Sequence, residues 1–134
     1  MTIISLSDHG ETPFEKILGH NVDILQAWSH LHEVVVKKGL LSATLKEQVR
    51  RTLARQNGCE YCQVKGMPQR HLFDEKTTVA VAFAEVFLKE KGNVPPSAVH
   101  VLQQTFCDAE ISELVAFITF ITASQYVGAI LKLS

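Results

Sequence analysis

Cys59 and Cys62, in the run Cys59-Glu60-Tyr61-Cys62, are the side chains whose type and spacing carry chemistry in this chain. A Cys-x-x-Cys spacing puts two thiols within disulfide reach across one helical turn. Gly58 stands just before the pair and reads as a helix stop. A new helix starting at the pair would aim unpaired backbone N–H groups, and the positive end of its dipole, at sulfur. That setting favours thiolate over thiol, and thiolate is the nucleophile, so the pair reads as a reactive dithiol. Two plainer readings stand beside it. Both cysteines could pack as small hydrophobes. They could also bind zinc, for which Cys107, His71, His30 and His32 would have to complete the ligands at no standard spacing.

The elements that must position the pair are helical, because apolar residues recur mostly at intervals of three and four and strand signals are scarce. A first helix is predicted from about Ile24 to Lys38, with Leu25, Trp28, Leu31 and Val35 as its apolar stripe and Gly39 as its stop. A second follows, capped by Ser42 or Thr44, turning Leu45, Val49 and Leu53 inward and ending at Asn57-Gly58. Cys59 to about Lys65 reads as a short helix broken by Gly66-Met67-Pro68. Asp74 opens another, through Val79, Ala82, Phe83, Val86 and Phe87 to Gly92; the Pro95-Pro96 pair starts the next, from about Ser97 to Phe106. The last runs from Cys107 or Asp108 to about Lys132, with Asp108, Glu110 and Glu113 near its positive end. The expectation is an all-α, compact helical domain of about six helices spanning residues 1–134. Thioredoxin-like proteins also use Cys-x-x-Cys, but in a βαβ setting that these helices do not supply.

Composition agrees with one folded domain. The chain has 134 residues, 46% hydrophobic and 20% charged, which excludes disordered, collagen-like and disulfide-scaffold classes. Thirteen basic against fourteen acidic side chains give a net charge of −1, so nucleic acid and anionic membranes are not expected partners. The stretch from Met1 to His9 has no basic n-region and too short an apolar run for a signal peptide, making a cytoplasmic location the expectation. Three cysteines are a poor disulfide framework there, and any pairing would be redox chemistry. Leu114 to Leu131 carries no charge, yet Thr119, Thr122, Ser124 and Gln125 interrupt it and Glu113 and Lys132 close it. It is therefore expected to be a helix buried from several sides and not a membrane span. Covering it in so small a domain points to a homo-oligomer, with the central helix of a monomeric bundle as the competing account.

Further residues join the dithiol. Glu47 lies twelve positions before Cys59, within Leu41-Ser42-Ala43-Thr44-Leu45-Lys46-Glu47, and Asn57-Gly58-Cys59-Glu60-Tyr61-Cys62 follows. Later come Val81-Ala82-Phe83-Ala84-Glu85, Val94-Pro95 and Phe106-Cys107-Asp108-Ala109-Glu110-Ile111-Ser112-Glu113-Leu114. In this order, from about Phe14 to Leu131, the chain resembles the alkylhydroperoxidase D-like branch of the carboxymuconolactone decarboxylase family. The resemblance implies an all-helical fold assembling as trimers or hexamers, with a thiol-dependent peroxidase or disulfide-reductase site. Carried over singly, it makes Cys62 the peroxidatic cysteine, Cys59 the resolving one and Glu47 a proton-relay carboxylate. The partners it implies are a small-molecule peroxide or a disulfide-bearing protein; no cofactor and no metal are expected.

The match has a gap. The family histidine falls four residues after the second cysteine, where this chain has Gly66, and Tyr61 stands in place of another histidine inside the pair. Glycine transfers no proton, so Tyr61, His71 or a water would have to substitute. Thr44-Leu45-Lys46-Glu47 also fits an S/T-x-x-E capping box, which would give Glu47 a purely local role. His30 and His32, two apart on a helix, point in different directions, so a solvated or core-edge role is expected of them and not a metal pair. Cys107 reads as a lone structural thiol, Glu85 as either buried or exposed, and Trp28 as core, with the lining of a small apolar pocket as its alternative. Two other functions remain in view: a decarboxylase-type enzyme of the same fold, from which the retained dithiol points away, and a non-enzymatic redox-sensing or structural oligomer, which the missing histidine favours.

Overall fold

Short polar side chains start the helices. Thr12 Oγ1 accepts from Glu15 N at 3.2 Å, Ser42 Oγ from Leu45 N at 3.1 Å and Asp74 Oδ1 from Thr77 N at 2.7 Å. Each satisfies an N–H that a first helical turn leaves without a partner. The computed structural model describes residues 2–134. They form α1 (Pro13–Leu18), α2 (Val22–Lys37), α3 (Ala43–Gln56), α4 (Glu60–Gln63), a 3-10 turn at Arg70–Leu72, α5 (Glu75–Glu90), α6 (Pro96–Thr105) and α7 (Asp108–Ile130). No strand occurs among the described residues, and the all-α expectation holds.

Three local expectations are corrected. α1 was not foreseen: six residues are too few to show a helical period, and only its cap gives it away, with Pro13 in the first turn and Glu15 Oε1 accepting from Thr12 N at 3.1 Å. α5 ends at Glu90, two residues before the expected glycine, with Lys91 and not Gly92 taking the positive φ, 57°. Leu31 is 46% exposed and not inward-facing. α2 lies along the edge of the bundle and meets α7 through Trp28 and Val35 instead.

α3 is the centre. Leu45, Val49 and Leu53, four apart, share one face and are almost fully buried. Against them pack Ala80, Val81 and Ala84 of α5 and Leu114, Phe117, Ile118 and Ile121 of α7. Trp28 Nε1 donates to Ser124 Oγ at 3.0 Å while its ring lies 5.5 Å from that of Phe120, closing α2 onto α7.

One buried cation sits among these helices. Lys46, 3% exposed, donates from Nζ to Val35 O at 2.7 Å, Lys38 O at 2.6 Å and Glu113 Oε2 at 2.8 Å. All three of its protons thus have acceptors, which is the condition for burying an ammonium. Glu113 accepts in turn from Leu40 N at 2.6 Å and Leu41 N at 3.1 Å. Gly39, at φ 103°, lets the chain pass so close to that carboxylate that a Cβ there would strike it. The pair ties the end of α2 and the start of α3 to α7.

α7 is the one helix among the described residues long and apolar enough to cross a membrane by length and composition. Here it packs as a core helix, against α2, α3, α4 and α6. Its burial is not complete: Val115, Tyr126 and Ile130 lie 41%, 47% and 70% exposed on one flank.

Candidate functional site

Gly58, with φ 73°, turns the chain out of α3, and Cys59 then becomes the N-cap of α4. The two cysteines are joined as a disulfide, with their Cα atoms 5.2 Å apart, and Cys62 N donates to Cys59 Sγ at 3.2 Å. α4 is a single turn of four residues. It brings one N–H to the sulfur but not the sustained dipole expected of a longer helix, because too few peptide units line up.

The two sulfurs have unequal surroundings. Cys59 is fully buried, pressed on α7 where Gly128 has no side chain; a Cβ at that glycine would lie 2.6 Å from Cys59 Sγ. Cys62 is half-buried and lines a cleft of about 560 Å³ between α1, α2, α4 and α7. Phe14, Leu18, Trp28 and Ile121 form the cleft's apolar wall, and Tyr61, Arg50 and His32 its polar one. A space of this size admits a small organic molecule.

Glu47 is held by two arginines. Arg50 Nε donates to Oε1 at 2.8 Å and Arg50 Nη2 to Oε2 at 3.0 Å, while Arg51 Nε donates to Oε2 at 2.7 Å. The cap of α3 is Ser42, so the alternative capping box built on Thr44 does not form. Partial burial by itself would raise the Glu47 pKa; the hydrogen bonds from Arg50 and Arg51, with their charges, outweigh it and hold the carboxyl at about 2, against an ordinary 4.5. Arg50 continues to the dithiol, donating from Nη1 to the carbonyl of Cys62 at 2.9 Å. Arg51 Nη1 donates to Met67 O at 3.1 Å, and Gln48 Oε1 accepts from Gln69 N at 2.6 Å, so α3 also pins the segment after Gly66. Behind the pair, Gln125 Oε1 accepts from Asn57 Nδ2 at 2.7 Å and its Nε2 donates to Arg50 O at 3.3 Å.

Of the residues singled out in the sequence, Cys59, Cys62, Glu47 and Tyr61 are brought together. His71 is exposed on the 3-10 turn and is not among the residues lining the cleft. Cys107 is an exposed free thiol at the start of α7, and Glu85 is exposed on α5. Among the described residues no three of His, Cys, Asp and Glu gather as a metal site, so the ligands required for zinc are scattered. His32, expected at most at the edge of the core, is the site residue whose place the sequence did not give. It lines the cleft, with its ring 6.3 Å from that of Phe120. Burial, then the charge of Lys37, lowers its pKa from the ordinary 6.5. The available signal was its place four residues after Trp28, on the same face of α2.

With this geometry in view, comparison with known proteins adds the following. No protein-family model matches the chain. The structure superposes on that of an uncharacterized peroxidase-related protein from Silicibacter sp. TM1040, with a TM-score of 0.77 and 19% identity, covering 90% of this chain and 74% of that one. The two share a fold. A segment of 70 residues, 52% of this chain, is 41% identical to part of the human "Protein associated with UVRAG as autophagy enhancer". The aligned segment spans 10% of that protein's length.

Proposed function

We propose that the chain is a thiol-dependent oxidoreductase of the antioxidant type, similar to the alkylhydroperoxidase D-like branch of the carboxymuconolactone decarboxylase family, working through the Cys59/Cys62 pair. The observation that carries this reading is the asymmetry of the two sulfurs: Cys62 faces a cleft and Cys59 is sealed behind it against Gly128. The shared fold with a peroxidase-related protein supports the choice of a peroxide as oxidant.

In this reading the Cys62 thiolate attacks the terminal oxygen of a hydroperoxide. The O–O bond breaks, sulfur loses two electrons to become a sulfenic acid, and the alkoxide or hydroxide leaves with a proton. The Cys59 thiol then attacks the sulfenic sulfur, releasing water and forming the disulfide. A dithiol, either a small molecule or one carried by a protein partner, completes the cycle by exchange: it is oxidised to a disulfide and both thiols of the pair are restored. Gly66 supplies no proton for the departing oxygen; Tyr61 and His32, both on the cleft wall, carry exchangeable ones. Assembly as a trimer or hexamer and a cytoplasmic location belong to the same proposal.

Peroxide consumption with dithiothreitol as reductant tests it. The wild-type chain should consume an organic hydroperoxide, and Cys62→Ser should abolish turnover. Cys59→Ser should leave one equivalent of sulfenic acid trappable on Cys62. A wild-type chain whose thiols stay free after excess peroxide overturns the reading.

A second reading is a non-enzymatic redox-sensing module. It is favoured by the Glu47 carboxyl, which is committed to two arginines, and by the likeness of half the chain to a small part of a human protein named for association and not for catalysis. Stoichiometric oxidation of Cys59 and Cys62 without turnover would select it.

A further inference from the structure

The reactive sulfur needs a cation, and the four-residue α4 offers little dipole to serve as one. Arg50 is the candidate hydrogen-bonded to the cysteine itself, through its backbone carbonyl. Its guanidinium is fixed at three points, by two hydrogen bonds to Glu47 and one to the Cys62 carbonyl, and it lines the same cleft as Cys62. The planar fork of arginine suits this double anchoring, whereas an ammonium would satisfy only one side of it.

We infer that Arg50 is the positioning residue that holds the reduced Cys62 as a thiolate, and that Glu47 acts on the dithiol through Arg50 rather than as a proton relay. This rests on the proposed dithiol chemistry, but it concerns how Cys62 ionises and not what it attacks. The hydrogen bonds from Arg50 and Arg51 occupy three of the roughly four lone-pair sites of this carboxylate. Protonating it would weaken the anchor of Arg50, so transferring a proton through Glu47 and keeping Arg50 in place oppose each other.

Other charges face the same sulfur and set the background. Lys65 follows α4 and lines the cleft, Glu60 at the start of α4 lies outside it, and Arg51 shares Glu47 from α3. Across the cleft stand His32, Glu15 and the Glu33–Lys37 pair, 3.1 Å apart, while α7 contributes only the neutral Ser124 and Gln125. Glu33 and Lys37 offset each other, and Glu15 is engaged by the backbone N–H groups of Glu11 and Thr12. Lys65 is the competing cation, and it is exposed with no carboxylate partner among the described residues.

The test is the pH dependence of the rate at which iodoacetamide alkylates Cys62 in the reduced chain, in a Cys107→Ser background that removes the exposed free thiol. Arg50→Gln should move the midpoint up towards the ordinary thiol value, and alkylation near pH 7 should slow about tenfold for every pH unit the midpoint climbs. Arg50→Lys should recover part of that change, and Lys65→Gln should move the midpoint less than Arg50→Gln. Glu47→Gln should change the profile in the wild-type background but not on top of Arg50→Gln. If Arg50→Gln misfolds by circular dichroism, the Arg50→Lys and Glu47→Gln pair carries the same comparison. An unchanged midpoint in the Arg50 variants overturns the inference, as does a Glu47→Gln that lowers peroxide turnover with an unmoved thiol profile. Alkylation needs no peroxide, so a chain that consumes none yet shows the Arg50 dependence would overturn the proposed function and leave this inference standing.

Discussion

At the scale of single residues, the site is governed by where charges are committed. Glu47 and Glu113 are both buried in part, which alone would raise their pKa values, and both are pulled the other way, Glu47 by hydrogen bonds from Arg50 and Arg51 and Glu113 by Lys46 and the N–H groups of Leu40 and Leu41. Their folded pKa values lie below the unfolded ones, so the stability they contribute is fully present above the ordinary 4.5 and is lost as pH falls, for Glu47 through about 2. Thermal midpoints measured from pH 7 to pH 2 should therefore fall steadily below about pH 4.5 in the wild-type chain. Glu47→Gln should start lower at pH 7 and descend less steeply. Parallel descents for the two chains would mean that the Glu47 bridge contributes nothing to folding.

At the scale of elements, α4 is a single turn wedged between α3 and α7, and Gly128 shows how tightly it is clamped. Alanine in place of a helical glycine ordinarily stabilises by about 0.5–1 kcal/mol, because the unfolded chain loses freedom. At Gly128 the new methyl would meet Cys59 Sγ at 2.6 Å, so α7 or the dithiol must shift. Overpacking of this kind costs about 1–3 kcal/mol. Gly128→Ala is thus expected to lower the midpoint of urea unfolding despite its better helix propensity. A raised midpoint would show that α4 gives way freely. Reducing the disulfide before unfolding should shrink the penalty, since separate thiols have more room to move.

At the scale of the whole molecule, α7 packs on several helices yet leaves Val115, Tyr126 and Ile130 in solvent, and α2 does the same with Ile24, Leu31 and Val34. Apolar exposure of this extent on two elements is more than scattered surface residues need. Sedimentation equilibrium is expected to give the mass of three or six chains, and Tyr126→Glu with Ile130→Glu to give that of one. A wild-type chain that sediments as a monomer at micromolar concentration removes oligomerisation from the proposal.

The helical class, most of the helix ends and the identity of the dithiol are legible in the order of residues. Caps, glycine stops and the three-and-four spacing of apolar residues are local properties that need no knowledge of neighbours. α1 escaped that reading because one and a half turns carry too little pattern, and Leu31 was misjudged because which part of a stripe is covered depends on the partner helix. Glu47 pairs with Arg50 and Arg51 three and four residues on, a spacing any helix brings together, but it was the packing of the helices that sealed Cys59 and opened Cys62, joined Arg50 to the Cys62 carbonyl, carried His71 away and brought His32 in. Those outcomes depend on which faces meet across α1, α2, α3 and α7, and such long-range geometry leaves no mark on the spacing of residues along a chain.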